Sequence, residues 1–423
     1  MRVLGIESSC DETAASVVED GYRLMSTVVA SSMDLHVQYG GVVPEIAARS
    51  HIEVINSVVD QAITDAGCTW DDIDAIAVTY GPGLGGSLLI GVMTARTLAI
   101  VHNKPLYAIN HVEAHVYANF LTASSQGQEP RAKSQEPRGA SLASVSSNKT
   151  DTSADDGPRG IPYALPSQQP AFPLLALIVS GGHTQLALFR HHFDYTLLGE
   201  TGDDAIGEAF DKVAKIIGLP YPGGPSISRK ALAGNPEAFQ LPKSRLTSVS
   251  PALEQLRSNT VTALKQPSKG PDFNPSPSLQ ASSVSYDFSF SGLKTAVLRL
   301  AQELIGADHT FPSKDLPERL SEAQRADIAA SFQYVAIETV VDKTVAAYTE
   351  FGPASVVIAG GVAANQELRR QLAERLSIPV TYTDSRLCTD NGAMIATLGC
   401  FHMKYGRPTA DPYTLAISPN LSM

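Results

Sequence analysis

Short apolar runs occur at intervals along the chain, and several of them end at glycine-rich turns. Apolar runs at 75–79, 174–179 and 355–359 each lead directly into a turn that contains at least two glycines. The stretches 87–102 and 365–376, which follow the first and the last of these turns, have the length and apolar spacing of helices. The pattern predicts a recurring unit of buried strand and glycine turn, twice followed by a helix, after a first strand at the start of the chain. Such turns are suited to facing a phosphate or a nucleotide.

Two segments interrupt this pattern. Residues 122–170 and 242–284 are rich in Ser, Pro, Gln and Gly and contain few large apolar side chains. Such compositions bury too little apolar surface to offset the loss of chain entropy, so we expect two disordered insertions. The remaining residues, roughly 330, are enough for two lobes. We expect a first lobe at 1–121 and a second at 171–423, with the last segment, about 395–423, packing back on the first lobe.

The overall composition is that of a globular protein. Hydrophobic residues make up 43% of the chain and charged residues 18%. A net charge of −11 argues against a general nucleic-acid coat, so an RNA substrate would need a local basic patch or partner proteins. The four cysteines form no CxxC pair, which favours a reducing compartment. No leader precedes the first strand and no run reaches the roughly 18 apolar residues that span a bilayer, so we expect a soluble cytoplasmic protein.

A pair of histidines is the first candidate for chemistry. His111 and His115 are four residues apart, which on a helix places both side chains on one face, close enough to hold one ion. The spacing alone does not establish a site, because such pairs are more often ordinary surface or core residues. The pair also lacks the HExxH pattern of a metallopeptidase. Asp390 is a candidate third ligand whose oxygen would leave positions open for substrate, but it could equally be a helix N-cap.

Two glycine turns are candidate anion sites. Ser180-Gly181-Gly182-His183-Thr184 follows an apolar run and would offer unobstructed backbone N–H groups to a phosphate or carboxylate, although a plain hairpin turn is the alternative. Gly360-Gly361 precedes a predicted helix, whose N-terminus favours anions. No Walker motif GxxxxGK[ST] occurs.

An acidic stretch borders these turns in sequence. Residues 202–212 contain four carboxylates within eleven positions, interrupted by apolar residues that indicate partial burial. A partly buried Asp211 needs a partner, such as a ribose hydroxyl, a metal ion or Lys212. Residues 221–225, Tyr-Pro-Gly-Gly-Pro, form a rigid turn that could border a pocket.

Taken together, the motifs resemble one family. They occur in the order seen in the tRNA threonylcarbamoyladenosine synthesis transferase family, and the chain closely resembles the bacterial form. The resemblance covers nearly everything except the two insertions. The motifs are 5–13 (GIESSCDET), 44–49 (PEIAAR), 110–115 (NHVEAH), 179–184 (VSGGHT), 202–212 (GDDAIGEAFDK), 221–224 (YPGG), 288–294 (FSFSGLK), 360–365 (GGVAAN) and 388–392 (CTDNG).

The resemblance implies both a fold and a reaction. The fold is the α/β, two-lobed fold of the actin-like ATPase and sugar-kinase superfamily, with mixed sheets flanked by helices. The reaction moves a threonylcarbamoyl group from threonylcarbamoyl-AMP to N6 of adenosine 37 in tRNAs that read codons beginning with A. By the same resemblance, His111, His115 and Asp390 match metal ligands, and we assign no catalytic residue beyond them. The residues that match the adenylate-binding positions are Ile178, Val179, Ser180, Gly181, Gly182, Asp211, Gly224 and Asn365.

The resemblance also implies a cofactor and partners. One divalent metal is expected, Fe²⁺ first and Zn²⁺ as the alternative, since two imidazoles and a carboxylate suit both. The partners are tRNA, threonylcarbamoyl-AMP, a shorter inactive paralogue that pairs with the first lobe, and a small P-loop ATPase, with no membrane. A kinase or ATPase of the superfamily leaves the histidine pair unexplained. A metallopeptidase lacks its glutamate base, and a nucleotide-binding scaffold would have no need for the complete ligand set.

Overall fold

The computed structural model describes residues 1–123, 163–244, 253–258 and 285–423. The strands are β1 (Arg2–Glu7), β2 (Glu12–Glu19), β3 (Arg23–Ser31), β4 (Ala75–Gly81), β5 (Leu106–Asn110), β6 (Leu174–Val179), β7 (Thr184–His191), β8 (Asp194–Glu200), β9 (Ser355–Ala359) and β10 (Val380–Thr381). The α-helices are α1 (Met33–Val37), α2 (Pro44–Asp65), α3 (Gly85–Val101), α4 (His111–Tyr117), α5 (Ile206–Ile216), α6 (Gly223–Ala231), α7 (253–258), α8 (Ser291–Leu304), α9 (Glu322–Phe351), α10 (Gln366–Arg375) and α11 (Gly392–Lys404). Short 3-10 turns cover Trp70–Asp72, Ala118–Phe120, Ser313–Asp315, Gly361–Ala364 and Ser385–Leu387.

The strands form two five-stranded mixed sheets with the same topology. The first has the order β3-β2-β1-β4-β5 and the second the order β10-β9-β6-β7-β8. In each sheet the first three strands are antiparallel neighbours, and the last two run parallel to the first strand. Helices flank both sheets, so the expected two-lobed α/β class is confirmed. The predicted strands β4, β6 and β9 and the predicted helices α3 and α10 are also confirmed.

Alternation along the central strands decides which side chains reach which core. In β1, Leu4 and Ile6 join the apolar core under α2 and α3, whereas Val3 faces the opposite side. In β6, Leu175 and Leu177 join the core under α5, α6, α8 and α9, whereas residues on the opposite face do not. This two-residue period is the ordinary geometry of a strand buried on both faces.

The helices α4 and α11 lie between the two sheets. Their buried apolar residues share one core with the inward faces of β1, β4, β6 and β9. The backbone of α11 approaches β1 very closely, because a Cβ at Gly5 would lie 2.3 Å from both Ala396 N and Gly392 O. Only glycine fits this position, and the contact fixes the start of α11 over the first sheet.

The two predicted insertions fall mainly outside the described residues, at 124–162, 245–252 and 259–284. The described parts of these segments are ordered, so the expectation of disorder extends too far at 163–170 and 253–258. The Ala164 N–H donates to Asp384 (2.8 Å). Residues 253–258 form α7, in which Leu253 is buried in the core of the second lobe. Isolated apolar anchors in polar sequence give no periodic signal, which is why composition misses them.

The chain returns to the first sheet after β10. Helix α11 packs on β1, β2 and β4, and the residues after it run along β5 and α3. The domain limits at 121 and 171 stay a prediction. Among the described residues, no helix combines the length and the apolar character needed to cross a membrane.

Candidate metal centre and nucleotide cleft

The histidine pair lies on a short helix between the sheets. Helix α4 begins at His111, directly after β5, and Asn110 is its N-cap. The Asn110 Oδ1 accepts the N–H groups of Val112 (2.9 Å) and Glu113 (3.2 Å). Both histidines are buried, and their ring centroids lie 4.7 Å apart. The predicted placement of both side chains on one helical face is confirmed.

Asp390 completes the group from the other side of the site. Its Oδ1 lies 3.5 Å from Nε2 of His111 and 3.5 Å from Nε2 of His115. One donor atom from each of the three residues can be chosen so that all lie within 4.8 Å of one another. The alternative role of Asp390 as a helix N-cap is wrong, because Asn391 is the N-cap of α11 and accepts the Met394 N–H (3.0 Å).

The three side chains fit a divalent transition metal. Both ring nitrogens of His115 are buried without a hydrogen-bond partner among the described residues. Burial, followed by the charges of His111 and His183, holds the pKa of His115 well below its ordinary value, so the ring is neutral and able to ligate. An unpartnered buried imidazole costs free energy that a bound metal would recover. Two imidazoles and one carboxylate suit iron or zinc and leave positions open for substrate.

Glu7 orients His111, and sequence reasoning missed it. The fully buried Glu7 accepts hydrogen bonds from the Ser9 N–H (2.5 Å) and the Thr79 hydroxyl (2.5 Å). Its Oε2 lies 3.1 Å from Nδ1 of His111, so the ring proton belongs on Nδ1 and Nε2 is left facing Asp390. Burial lowers the pKa of His111, but Asp390 and Glu7 outweigh it and raise the value to about 9, so without a metal Nε2 also carries a proton at neutral pH, which a bound metal would displace. The sole sequence signal was an acidic residue at the end of a buried strand.

Acidic side chains of the first lobe and a tyrosine of the second lie close enough to charged neighbours for their pKa values to shift. Burial, followed by the charges of Asp11 and Asp390, raises the pKa of Glu12 well above its ordinary value. Burial also raises the pKa of Tyr221, together with the charges of Asp211 and Asp11. The charges of Asp11 in the first lobe and Asp211 in the second both act on Tyr221. The predicted rigid turn at 221–225 is wrong in extent, because α6 already begins at Gly223.

The predicted anion turn after β6 is also a hairpin turn. The Ser180 N–H donates to the His183 carbonyl (2.8 Å), and Val179 pairs with Thr184. Ile178 and Val179 are buried at the end of β6. A Cβ at Gly181 or Gly182 would meet no atom within 4 Å, so both glycines border open space. The ring centroid of His183 is 6.3 Å from that of His111, which brings this turn to the edge of the metal centre.

Asp211 and Gly224 lie on neighbouring helices. The Asp211 Oδ1 accepts the Gly223 N–H (2.6 Å) at the start of α6. Burial raises the pKa of Asp211 to about 6, against the lowering effect of that N–H. Lys212, which was suggested as a partner of Asp211, is wrong in that role. Its ammonium group pairs with Asp204 (2.6 Å), which precedes α5, and with an acidic residue within α5. A Cβ at Gly224 would meet no atom within 4 Å.

The side chain of Asn365, which the resemblance matched to an adenylate-binding position, makes hydrogen bonds within the protein. Its Oδ1 caps α10 by accepting the Leu368 N–H (3.1 Å). Its amide nitrogen donates to Ser228 Oγ (3.1 Å) and Gln333 Oε1 (3.1 Å), so both amide hydrogens are used. The turn before it is pressed against the first anion turn, because a Cβ at Gly360 (φ 89°) would lie 2.4 Å from the Val179 carbonyl oxygen.

The comparison with known proteins decides the family. A family model described as tRNA N6-adenosine threonylcarbamoyltransferase matches residues 23–133 and 161–397. The chain belongs to this family. It is similar to the tRNA N6-adenosine threonylcarbamoyltransferase of Thermomicrobium roseum, with 43% identity over 403 residues, which cover 94% of this chain and 90% of the relative. The threonylcarbamoyltransferase of Symbiobacterium thermophilum is 42% identical over 96% of this chain and 92% of its own.

One solved structure aligns with nearly the whole chain at low sequence identity. The activator of the 2-hydroxyisocaproyl-CoA dehydratase from Clostridium difficile, with bound ADPNP, aligns with a TM-score of 0.43 and 11% identity. The alignment covers 99% of this chain and 100% of that one. Within the threonylcarbamoyltransferase family match, the first block contains His111 and His115, and the second contains Asp390 and every residue expected to bind adenylate. Glu7 precedes both blocks.

Proposed function

We propose that this chain transfers a threonylcarbamoyl group from threonylcarbamoyl-AMP to N6 of adenosine 37 in tRNAs that read codons beginning with A. Family membership supports the reaction class. We place the reaction at the group of His111, His115 and Asp390, because their donor atoms lie within 4.8 Å of one another beside an open glycine turn. The tRNA substrate supports a cytoplasmic location.

The metal would be held by His111, His115 and Asp390, with Glu7 fixing the orientation of the first ring. When bound, it would supply Lewis-acid polarisation to oxygens of the donor. We favour Fe²⁺, with Zn²⁺ as the alternative, because both accept imidazole and carboxylate ligands.

The protein's own residues bind and orient the two substrates. In the reaction, N6 of adenosine forms a bond to the carbamoyl carbon, the bond from that carbon to the phosphate oxygen breaks, AMP leaves, and the amine loses a proton. AMP is a good leaving group, so the rate depends chiefly on positioning a weakly nucleophilic amine. The open backbone at Gly181 and Gly182 suits the phosphate, and the free oxygen of Asp211 suits a ribose hydroxyl. The absence of a side chain at Gly224 leaves room for the adenylate, and the hydrogen bonds of Asn365 fix the turn that precedes α10.

The first lobe presents a surface that fits a partner of its own fold. Helix α3 exposes Leu89, Met93 and Ile100, each more than 40% accessible, and α2 exposes Ile52 to 59%. Exposed apolar side chains on two helices that pack together are typical of a protein–protein contact. We infer that the shorter paralogue covers this face. With a net charge of −11, tRNA docking would then depend in part on that paralogue and on the small P-loop ATPase.

Reconstitution tests this function directly. Purified chain and partner proteins are incubated with threonylcarbamoyl-AMP and tRNA, and the product is measured by nucleoside analysis. His111→Ala should lose both metal and transfer while remaining folded. His309→Ala makes the same change at an exposed position and should retain both. Transfer by a folded, metal-free His111→Ala variant at the wild-type rate would show that the metal site is not part of the reaction.

A further inference from the structure

The segment 410–423, here termed the strap, crosses the first lobe after α11. Its first residue pairs with the edge strand β5, where the Ala410 N–H donates to the Leu106 carbonyl (2.7 Å). Further along, the Ser418 N–H donates to the Tyr80 carbonyl (2.7 Å) at the end of β4. The strap therefore follows the two strands whose ends lead into the glycine turn at 81–84 and into α4.

A single arginine of α3 holds the middle of the strap. The Arg96 guanidinium donates to three strap carbonyls, those of Pro412 (2.5 Å), Leu415 (3.2 Å) and Tyr413 (2.5 Å). Hydrogen bonds from a charged donor are stronger than neutral ones. Their convergence on one side chain fixes the path of the strap over α3.

The strap reaches the metal-binding helix through Asn110. The Asn110 Nδ2 donates to the Ser422 carbonyl (3.0 Å). The Oδ1 of the same amide caps α4, whose first residue is His111. One planar amide group thus connects the strap to the helix end that carries a metal ligand.

A second path runs through the glycine turn. The Gly83 N–H donates to the Pro419 carbonyl (3.1 Å) of the strap. On its other side the turn is pressed against Ser9, since a Cβ at Gly83 would lie 2.6 Å from the Ser9 carbonyl oxygen, which also accepts the Leu84 N–H (2.7 Å). The Ser9 hydroxyl lies 3.2 Å from Nδ1 of His111. The strap is therefore linked to the start of α4 through Asn110 and to the His111 ring through Ser9.

We propose that the strap positions the metal centre by holding His111, through Asn110 and through Ser9, in its ligating orientation. No strap residue belongs to the ligand group, so the strap acts through these two contacts. The inference rests on the proposed function only in taking His111 as a metal ligand. Groups that orient a ligating histidine commonly change metal affinity by about 10- to 100-fold when they are lost.

Asn110→Ser separates the two roles of the amide. Serine is a good N-cap, so the start of α4 is retained, but the donor to the Ser422 carbonyl is lost. We expect the dissociation constant for Co²⁺, measured by competition with a chelator, to rise about tenfold, with an altered visible spectrum of the bound Co²⁺. The unfolding temperature should stay close to that of the wild type. Asn235→Ser, the same change in an exposed turn of the second lobe, should alter none of these properties.

A second variant tests whether the strap itself determines the Co²⁺ affinity. Removal of residues 420–423 should raise the Co²⁺ dissociation constant at least as much, because it removes the Ser422 carbonyl together with the packing of Met423. Adding Asn110→Ser to this deletion should change the constant little further, since both changes remove the hydrogen bond between Asn110 and Ser422. Wild-type affinity and spectrum in Asn110→Ser would overturn the proposal, as would fully additive effects. If His111→Ala bound Co²⁺ as tightly as the wild type, the metal assignment of the proposed function would fail instead.

Discussion

Asp211→Asn should make the protein more stable at neutral pH while weakening donor binding. The substitution keeps the shape of the side chain, and the amide oxygen can still accept the Gly223 N–H, which lies 2.6 Å from Oδ1 in the wild type. It removes the negative charge, which burial disfavours. A buried carboxylate that is charged at neutral pH lowers the stability of the fold. Such a cost is expected where the carboxylate must bind a substrate.

The magnitude follows from the pKa of Asp211, which burial raises from 3.8 to about 6. The unfolded chain ionises above 3.8, whereas the folded protein keeps the proton up to about 6. The stability contributed by this group is therefore complete below pH 4 and is lost as the pH rises through 6. A difference of about 2.2 pH units corresponds to a cost of about 3 kcal/mol at most for the charged side chain above that range.

Thermal unfolding of the wild type and Asp211→Asn at pH 7.5 and pH 4.5 measures this cost. The variant should unfold at a higher temperature at pH 7.5, and its advantage should shrink at pH 4.5. Asp327→Asn controls for the loss of one carboxylate that also accepts a single backbone N–H. Titration with AMP at pH 7.5 should show weaker binding by Asp211→Asn. A variant that is destabilised at both pH values, or whose gain does not depend on pH, would refute the reasoning.

Three further changes test other parts of the structure. Glu7→Gln should weaken metal binding by about 10- to 100-fold, because an amide cannot orient His111 as the carboxylate does; chelator competition measures it. Asp384→Asn should destabilise the protein by at most about 2 kcal/mol above pH 4, with the effect disappearing toward pH 2, because a paired arginine lowers the Asp384 pKa to about 2; urea unfolding at several pH values measures it. Gly5→Ala should cost about 3 kcal/mol or more by clashing with α11, whereas Gly202→Ala meets open space and should be tolerated; unfolding temperatures decide.

Local patterns predicted local structure well. The apolar runs gave β4, β6 and β9 almost to the residue, because a strand buried on both faces is a continuous apolar run bounded by turns. The spacing of His111 and His115 gave a helical face because periodicity is itself local. The expectation that two lobes of one fold pack together came from the resemblance to a family, since no local sequence pattern predicts it.

The features that sequence reasoning missed are contacts between distant residues. Glu7 reaches His111 across 104 positions, and neither residue carries a local sign of the other. For Asp390, two physically sensible roles competed, and only the fold showed that Asn391 takes the cap and frees the carboxylate. The partner of Asp211 was missed for the same reason, because the Gly223 N–H belongs to another helix.

The placement of α4 and Asp390 has a mechanical consequence. The chain leaves the first sheet through α4, which carries His111 and His115, and it returns from the second sheet just after Asp390. The three candidate ligands therefore lie where the chain crosses between the lobes, and a hinge located at such crossings would displace them least. A rotation of one lobe against the other would therefore displace these three residues less than residues far from the crossings. A metal held by these three residues would then stay in place while the lobes move.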